Sequence, residues 1–216
     1  EAFAWTQPWL RIGAADDNDL VLQTAQMAPH HLCIEQDRRG WVLRVLPDAG
    51  RVYVNARPVR ERALVRAGDI VSIGDGRLLL CTDESPTQRD ARALPPGARR
   101  SAALRAVAGP LSGRVAAIGE GFELGPHGRW PLELSQGESA TLSLAWRDDL
   151  LWLAVREVSA RHPLRVNGVV VAMPVALQPG DQLGLATHRF LFDAPTHMQT
   201  VMSEESPAEI DPLPEE

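Results

Sequence analysis

The chain has no lysine, one tyrosine and two cysteines in 216 residues, and all 22 of its basic residues are arginine. Cys33 and Cys81 lie in apolar runs and show no C-x-x-C spacing, which excludes a disulfide framework and a cysteine metal site. We therefore expect buried, unreactive thiols, no metal and no cofactor. No apolar run is long enough to cross a bilayer. These absences predict that the chain is cytoplasmic and that it does not insert directly into a membrane.

Recognisable catalytic sequences are also missing. The chain has no nucleophile elbow, no glycine-rich phosphate loop and no paired-carboxylate pattern, so we predict that it is not an enzyme. The net charge of −6 arises at the C-terminus, because residues 193–216 hold seven carboxylates and no arginine. The rest of the chain has 21 acidic and 22 basic residues, which does not resemble a nucleic-acid-binding protein. Because it starts at Glu1 and not at Met, we expect it to be the cytoplasmic part of a larger protein.

The sequence repeats a pattern of turn residues at one fixed offset. Three pairs are each separated by 112 positions: Asn55 and Asn167, Gly68 and Gly180, and Asp69 and Asp181. Asn and Gly-Asp are typical of turns because they tolerate left-handed backbone or bond to nearby amides. Apolar positions repeat at the same offset, whereas most surface residues differ. This predicts a tandem duplication with two separate cores.

Short apolar or alternating runs separated by turn residues indicate β-strands. At least seven such runs between residues 9 and 81 predict an antiparallel β-sandwich, and the second half repeats the pattern. We expect sandwiches at 1–82 and 103–194, a Pro/Ala/Arg-rich linker at 83–102 and an acidic flexible tail at 195–216. Three tryptophans inside strand runs are predicted to be core residues: Trp41, Trp146 and Trp152.

The motifs of the first half resemble the forkhead-associated (FHA) family. They are LRIG, NDLVL, HHLCI, GWVLRVL, VYVN and VRAGDIVSIG, and the second half has the fainter matches LSGRV, FELG, RVNG, LQPGDQLGL and HRFLF. The resemblance implies an all-β protein with two FHA-like antiparallel β-sandwiches in tandem, each of eleven strands, with recognition loops at one end. It also implies the family function, which is binding of phosphothreonine peptides. Such binding needs an arginine, a serine hydroxyl and amide donors around the phosphate.

The first unit lacks the groups that the resemblance requires. Ala14 stands where the family has an arginine, and Ala28 and Pro29 replace its Ser-Arg pair. His31 matches the family histidine, which braces loops. The first strand of this unit would precede Glu1 or come from residues 1–5.

The second unit departs from the family pattern in the same way. Pro126 replaces the arginine, Ala140 and Thr141 replace Ser-Arg, and His162 and Pro163 begin the stretch that replaces Asn-Gly-Thr. Each charge-assisted bond contributes roughly 1.5–3 kcal/mol, so losing two or three costs on the order of 10³-fold or more in affinity. We therefore predict that both phosphate sites are degenerate.

The predicted function is a non-catalytic protein-protein interaction scaffold in a bacterial signalling or secretion assembly, with a protein partner and no requirement for phosphate. The alternative is a phosphothreonine-peptide reader with a relocated phosphate site in Ser/Thr kinase signalling. The candidate loop-tip binding residues are His30, Asp48, Arg51, Arg129, Glu138, Arg161 and His162. Thr200 in the tail is a candidate phosphoacceptor.

Overall fold

The computed structural model describes residues 2–132, 134 and 138–196, and these residues form two pairs of β-sheets in succession. The only helical element among them is a single 3-10 turn at Ala98–Ser101. The predicted fold class, all-β with antiparallel sheets, is confirmed. The exact boundaries of the four predicted segments remain a prediction.

The first unit contains nine described strands. They are β1 (Trp9–Gly13), β2 (Leu20–Val21), β3 (Leu32–Asp37), β4 (Gly40–Val45), β5 (Val52–Val54), β6 (Arg57–Val59), β7 (Arg62–Val65), β8 (Ile70–Ile73) and β9 (Gly76–Leu79). One sheet has the order β2-β1-β3-β4-β7 and the other β6-β5-β8-β9. All neighbours are antiparallel except the short parallel pair β1 and β2.

Alternation along the strands determines which residues form the first core. In β3, Leu32 and Ile34 are buried, whereas Cys33 and Glu35, which alternate with them, are partly exposed. Successive side chains of a strand point to opposite faces, so the apolar positions of both sheets meet between them. Leu10 and Leu43 complete the centre of this core.

The second unit contains ten described strands. They are β10 (Ala103–Ala108), β11 (Val115–Ala117), β12 (Gly121–Leu124), β13 (Thr141–Arg147), β14 (Leu150–Glu157), β15 (Arg165–Val166), β16 (Val169–Val170), β17 (Val175–Leu177), β18 (Gln182–Leu185) and β19 (His188–Asp193). Its sheets have the orders β11-β10-β19-β18-β15-β16 and β12-β13-β14-β17.

The two units differ in strand number from each other and from the eleven that the resemblance implies. In the second unit β10 pairs with β19, whereas β9, the equivalent of β19, is the last strand of its sheet. Residues 2–8 form no strand, so they do not supply the missing partner.

Aromatic residues fill the second core, which also includes part of the predicted linker. Trp130 stacks on Phe190 with ring centroids 5.8 Å apart. Leu94 and Ala98, from the segment between the units, are buried in the same core. The segment 83–102 therefore packs on the second unit along part of its length.

The tryptophan and cysteine predictions are only partly correct. Trp41 and Trp146 are half-buried and pack against the two cores, but Trp152 lines a groove on the outer face of β14.

Cys33 is half-buried, and burial raises the pKa of its thiol. Cys81 is exposed, so the prediction that it is buried is wrong. It follows the last strand of the first unit, where an apolar sequence continues past the sheet.

The repeated Asn and Asp residues form the same hydrogen-bond network in each unit. Asn55 Nδ2 donates to Asp69 Oδ1 at 2.7 Å, and Asn167 Nδ2 donates to Asp181 Oδ1 at 2.8 Å. Each Asn Oδ1 accepts from the backbone amide after the Asp, at 3.0 and 2.9 Å respectively. These bonds tie the β5–β6 and β15–β16 hairpins to the turns before β8 and β18. The 112-residue offset is therefore also an offset between matching structural contacts.

Among the described residues, four hydrogen bonds join the two units, one of them from Arg57 Nη2 to Ser112 Oγ at 2.5 Å. Gln182 Nε2 donates to Asp69 Oδ1 at 2.7 Å, and Arg189 Nε donates to the Gly68 carbonyl at 3.3 Å. The Thr82 amide donates to the carbonyl of Asn167 at 3.2 Å. Gln182 and Arg189 are 2% and 6% exposed, and burial lowers the pKa of Arg189. The first unit thus contacts the β15–β16 hairpin and strands β18 and β19 of the second.

Candidate functional site

Three loops of the first unit meet at one end of its sandwich, where the sequence predicts a binding site. They are residues 14–19, 22–31 and 46–51. The first two approach closely at Gly13, where an added Cβ would lie 2.2 Å from the Pro29 carbonyl oxygen. Glycine is required there because no side chain fits between the two backbones.

The polar donors of the first two loops bond to each other. The amides of Ala14 and Ala15 donate to the carbonyls of Ala28 and Pro29 at 2.9 and 3.0 Å. Asn18, which is 8% exposed, donates from Nδ2 to the Ala15 and Pro29 carbonyls, both at 2.7 Å. Amide donors that could surround an anion are therefore already engaged with internal carbonyls.

His31 connects the second loop to the third. Its ring is fully buried, and Nδ1 accepts from the Ala28 amide at 2.9 Å, so the neutral ring carries its proton on Nε2. The His31 carbonyl accepts from the Leu46 amide at 3.0 Å. Burial lowers the pKa of His31, partly offset by the Gly50 backbone. This geometry agrees with the brace that the family resemblance implies.

The three predicted residues of this end lie on adjoining loops. His30 is exposed, with Nδ1 3.3 Å from Asn18 Oδ1 and Nε2 3.7 Å from a carboxylate oxygen of Asp17. Asp48 and Arg51 are exposed and line one open groove that Tyr53 also lines. His30 does not line that groove. A binding role for these residues remains a prediction.

Three predicted residues of the second unit form a cluster. Glu138 lies 3.8 Å from Arg161 Nε and 3.6 Å from His162 Nε2, measured to its two carboxylate oxygens. The loop before β13 thus contacts the loop after β14. Leu164, the last residue of the stretch that replaces Asn-Gly-Thr, is fully buried and belongs to the core.

Arg129 lies apart from that cluster. Its amide donates to the Glu123 carbonyl at 2.9 Å, and its guanidinium lies 5.8 Å from the Phe122 ring centroid. It therefore covers the edge of the core at β12. Thr200, the candidate phosphoacceptor, lies outside the described residues.

Sequence reasoning did not identify a groove at the junction of the two units. We call it the inter-unit groove, with a volume of about 630 Å³. Its polar rim includes four arginines, Arg57, Arg60, Arg62 and Arg66, and its apolar lining includes Val59, Leu64, Val107 and Leu191. The signal was present as the arginine-rich stretch RPVRERALVR, but only the fold places Val107 and Leu191 beside it.

The described part of the chain contains no cluster of three or more His, Cys, Asp or Glu residues that could hold a metal ion. Within that part, no helix has the length and apolar character needed to span a bilayer.

Residues 1–84 match the family model described as the inner membrane component of the type III secretion system (T3SS), cytoplasmic domain. No curated protein matches the chain. The family description agrees with the cytoplasmic location expected from the sequence.

Several solved structures are similar to part of the chain. One is Mycobacterium tuberculosis EmbR in complex with a low-affinity phosphopeptide, with 31% identity and TM-score 0.30, covering 32% of this chain and 18% of EmbR. Another is the FHA-2 domain of a Mycobacterium tuberculosis ABC transporter, with 29% identity and TM-score 0.32, covering 37% of this chain and 72% of that domain. A third is the cytoplasmic domain of the T3SS sorting platform protein PscD from P. aeruginosa, with 18% identity and TM-score 0.35, covering 53% and 98%.

The match to EmbR spans less than a fifth of that protein. FHA domains are thus among the solved structures to which part of the chain is similar. The comparisons do not test whether the phosphate sites are degenerate.

Proposed function

We propose that the chain is a non-catalytic protein-interaction scaffold in the cytoplasmic part of a bacterial secretion assembly of the type III class. The family match of residues 1–84 supports both a role in a type III secretion assembly and a cytoplasmic location. The loop geometry supports binding without phosphate. The predicted division into sandwiches at 1–82 and 103–194, joined by 83–102 and followed by the tail 195–216, is part of this proposal.

One observation carries the phosphate-independent part of the proposal. The Ala14 and Ala15 amides and both hydrogens of the Asn18 amide bond to carbonyls of the same two loops. A phosphate could recruit them only by breaking these bonds, and no arginine or serine stands at Ala14 or Ala28 to compensate. Satisfied donors offer little to a phosphate that must give up its own hydration.

The binding surface that we propose instead is the exposed part of the loop ends. His30, Asp48 and Arg51 in the first unit are accessible and carry charge of both signs. In the second unit, Glu138, Arg161 and His162 present a second polar patch. Mixed charges of this kind favour a polar protein surface with complementary charges.

Binding assays on the whole chain test the proposal. Immobilised chain is mixed with purified cytoplasmic proteins of the secretion system of the bacterium that encodes it, before and after phosphatase treatment. We expect one of them to bind equally in both states and to bind at least tenfold less tightly to an Asp48→Arg, Arg51→Glu variant. The matched control reverses Asp37 and Arg38, which are exposed at the β3–β4 turn. Binding that disappears on dephosphorylation contradicts the proposal.

The second candidate function is recognition of phosphothreonine peptides at a relocated site. Arg51 and Arg60 line the same open groove, and the described residues place no carboxylate oxygen within 4.0 Å of either guanidinium. A phosphothreonine peptide library distinguishes the two functions. We expect no phosphate-dependent binding, and micromolar binding that is lost with Arg51→Ala would establish the second function instead.

A further inference from the structure

The four arginines of the inter-unit groove have no acidic partner in the described part of the chain. No carboxylate oxygen there lies within 4.0 Å of the guanidinium nitrogens of Arg57, Arg60, Arg62 or Arg66. The nearby Asp69 is buried, and its oxygens accept from Asn55, Gln182 and the Arg66 amide. Glu61 also lines the groove, so the four arginines face two carboxylates, and the groove keeps an excess of positive charge.

Apolar residues lie between these arginines. Leu64 is 53% exposed, and Val59, Val107 and Leu191 add apolar surface from both units. A groove of this composition fits a segment that alternates carboxylates with apolar side chains, because the charges meet the rim and the apolar residues leave water.

The C-terminal segment of the same chain has this composition. Residues 204–216, EESPAEIDPLPEE, hold six carboxylates, no arginine, and the apolar residues Ile210 and Leu213. It supplies most of the net negative charge of the chain, because the acidic and basic residues of the body nearly balance.

The end of β19 lies beside the groove, which places the groove within reach of this segment. Leu191 lines the groove and lies two residues before Asp193, where β19 ends. Ten residues separate Asp193 from Glu204, and they reach up to about 33–36 Å when extended. A segment attached this closely has a local concentration in the millimolar range, so weak contacts suffice for binding.

We propose that residues 204–216 bind in the inter-unit groove of their own chain. The carboxylates contact Arg60, Arg62 and Arg66, and Ile210 and Leu213 cover the apolar lining. This binding would leave the groove closed to other acidic proteins. The inference does not depend on the proposed scaffold function.

The experiment uses a fluorescent peptide of residues 197–216 and a full-length acceptor whose own tail is neutralised. That acceptor carries the substitutions E204Q, E205Q, E209Q, D211N, E215Q and E216Q. Fluorescence anisotropy is expected to show saturable binding to this acceptor and at least tenfold weaker binding to the native chain, whose tail competes. Binding should weaken as salt is raised.

Charge reversal locates the site. Arg60→Glu with Arg66→Glu in the neutralised acceptor should reduce peptide binding at least tenfold. Arg147→Glu with Arg156→Glu, in a separate groove lined by strands β12–β14, is the matched control and should leave it unchanged. If the reversed variant unfolds, Arg60→Gln with Arg66→Gln replaces it, with a smaller loss expected.

Three results would overturn the proposal. They are absence of peptide binding, equal loss in the groove and control variants, and equal affinity of the native and neutralised chains. Light scattering adds a fourth, since a dimer of the native chain that dissociates on tail neutralisation means that the tail occupies the groove of a second copy.

Discussion

The side-chain amide of Gln182 donates to the carboxylate of Asp69 at 2.7 Å, and this bond joins the second sandwich to the first. The same Asp is the centre of the hairpin network within its own unit. Its repeat equivalent, Asp181, instead accepts hydrogen bonds from the guanidinium of Arg89, which lies in the segment 83–102 that connects the two units. We call this the connecting segment. The two equivalent carboxylates thus have different additional donors. Asp69 accepts from the other unit, and Asp181 accepts from the connecting segment.

Removing the Gln182 amide should weaken the interface between the units. Gln182→Ala leaves one buried bond to a carboxylate unmade, so we expect a loss of about 1–3 kcal/mol in the free energy of unfolding. Urea denaturation followed by tryptophan fluorescence measures it. The control is Gln36→Ala at an exposed position of β3, which should change the value by less than about 0.5 kcal/mol. Equal effects of the two substitutions would contradict a role of Gln182 in the interface.

The two hairpin turns predict opposite effects of exchanging Ala and Gly. Ala56 has φ 64° and its repeat equivalent Gly168 has φ 85°, both in the left-handed region. Ala56→Gly relieves strain at an exposed turn and should stabilise by about 0.5–1 kcal/mol. Gly168→Ala should destabilise by about 2 kcal/mol or more, since its Cβ would lie 2.7 Å from Cys81 Sγ.

Thermal and urea unfolding of both variants test this pair. The native chain supplies the reference, and each variant is the natural control for the other because the turns share one geometry. Destabilisation by Ala56→Gly would show that its backbone carries no strain.

The depressed pKa of His31 predicts a loss of stability in mild acid. Burial favours the neutral ring in the folded chain, whereas the unfolded chain titrates near the ordinary value of about 6.5. The unfolded state therefore binds more protons between the two pKa values. Stability is fully present above pH about 6.5 and falls as pH drops from there towards the folded pKa.

Urea midpoints measured from pH 7.5 to pH 5 check this dependence. The native chain should lose stability over that range, and His31→Gln should be less stable at pH 7.5 but show a flatter profile. His30→Gln, at the exposed neighbour, should retain the slope of the native chain. An unchanged slope in His31→Gln would contradict the assignment to this ring.

The repeat made much of the fold predictable. Asn55 and Asp69 were recognisable as turn residues because they recur with the Gly-Asp turns at one offset. The alternation in runs such as residues 32–37 indicated the strands. The network between Asn55 and Asp69 was not predictable, since hydrogen bonds between two turns depend on how the strands pair.

Contacts between the units could not be predicted from local patterns. Gln182 and Arg189 are polar residues within strands, which normally indicates a solvent-facing position, yet both are buried and bond to Asp69 and Gly68 of the first unit. Leu94 likewise appears in a segment rich in Pro, Ala and Arg, where a single apolar residue carries no periodic signal. The loop sites were predicted as regions, but the pairing of Glu138 with Arg161 and His162 required the tertiary arrangement.

Arg89 anchors the connecting segment to the second unit. Its guanidinium donates to Asp181 and, at 3.0 Å, to the Ala176 carbonyl, and the two side chains of the pair are 12% and 5% exposed. Arg89→Ala leaves a buried carboxylate without its cation, so we expect a loss of about 3–5 kcal/mol in the free energy of unfolding. The freed segment should also be cleaved faster by trypsin at the arginines near its end. Arg92→Ala, at an exposed site, is the control, and cleavage rates equal to its own would show that Arg89 does not hold the segment in place.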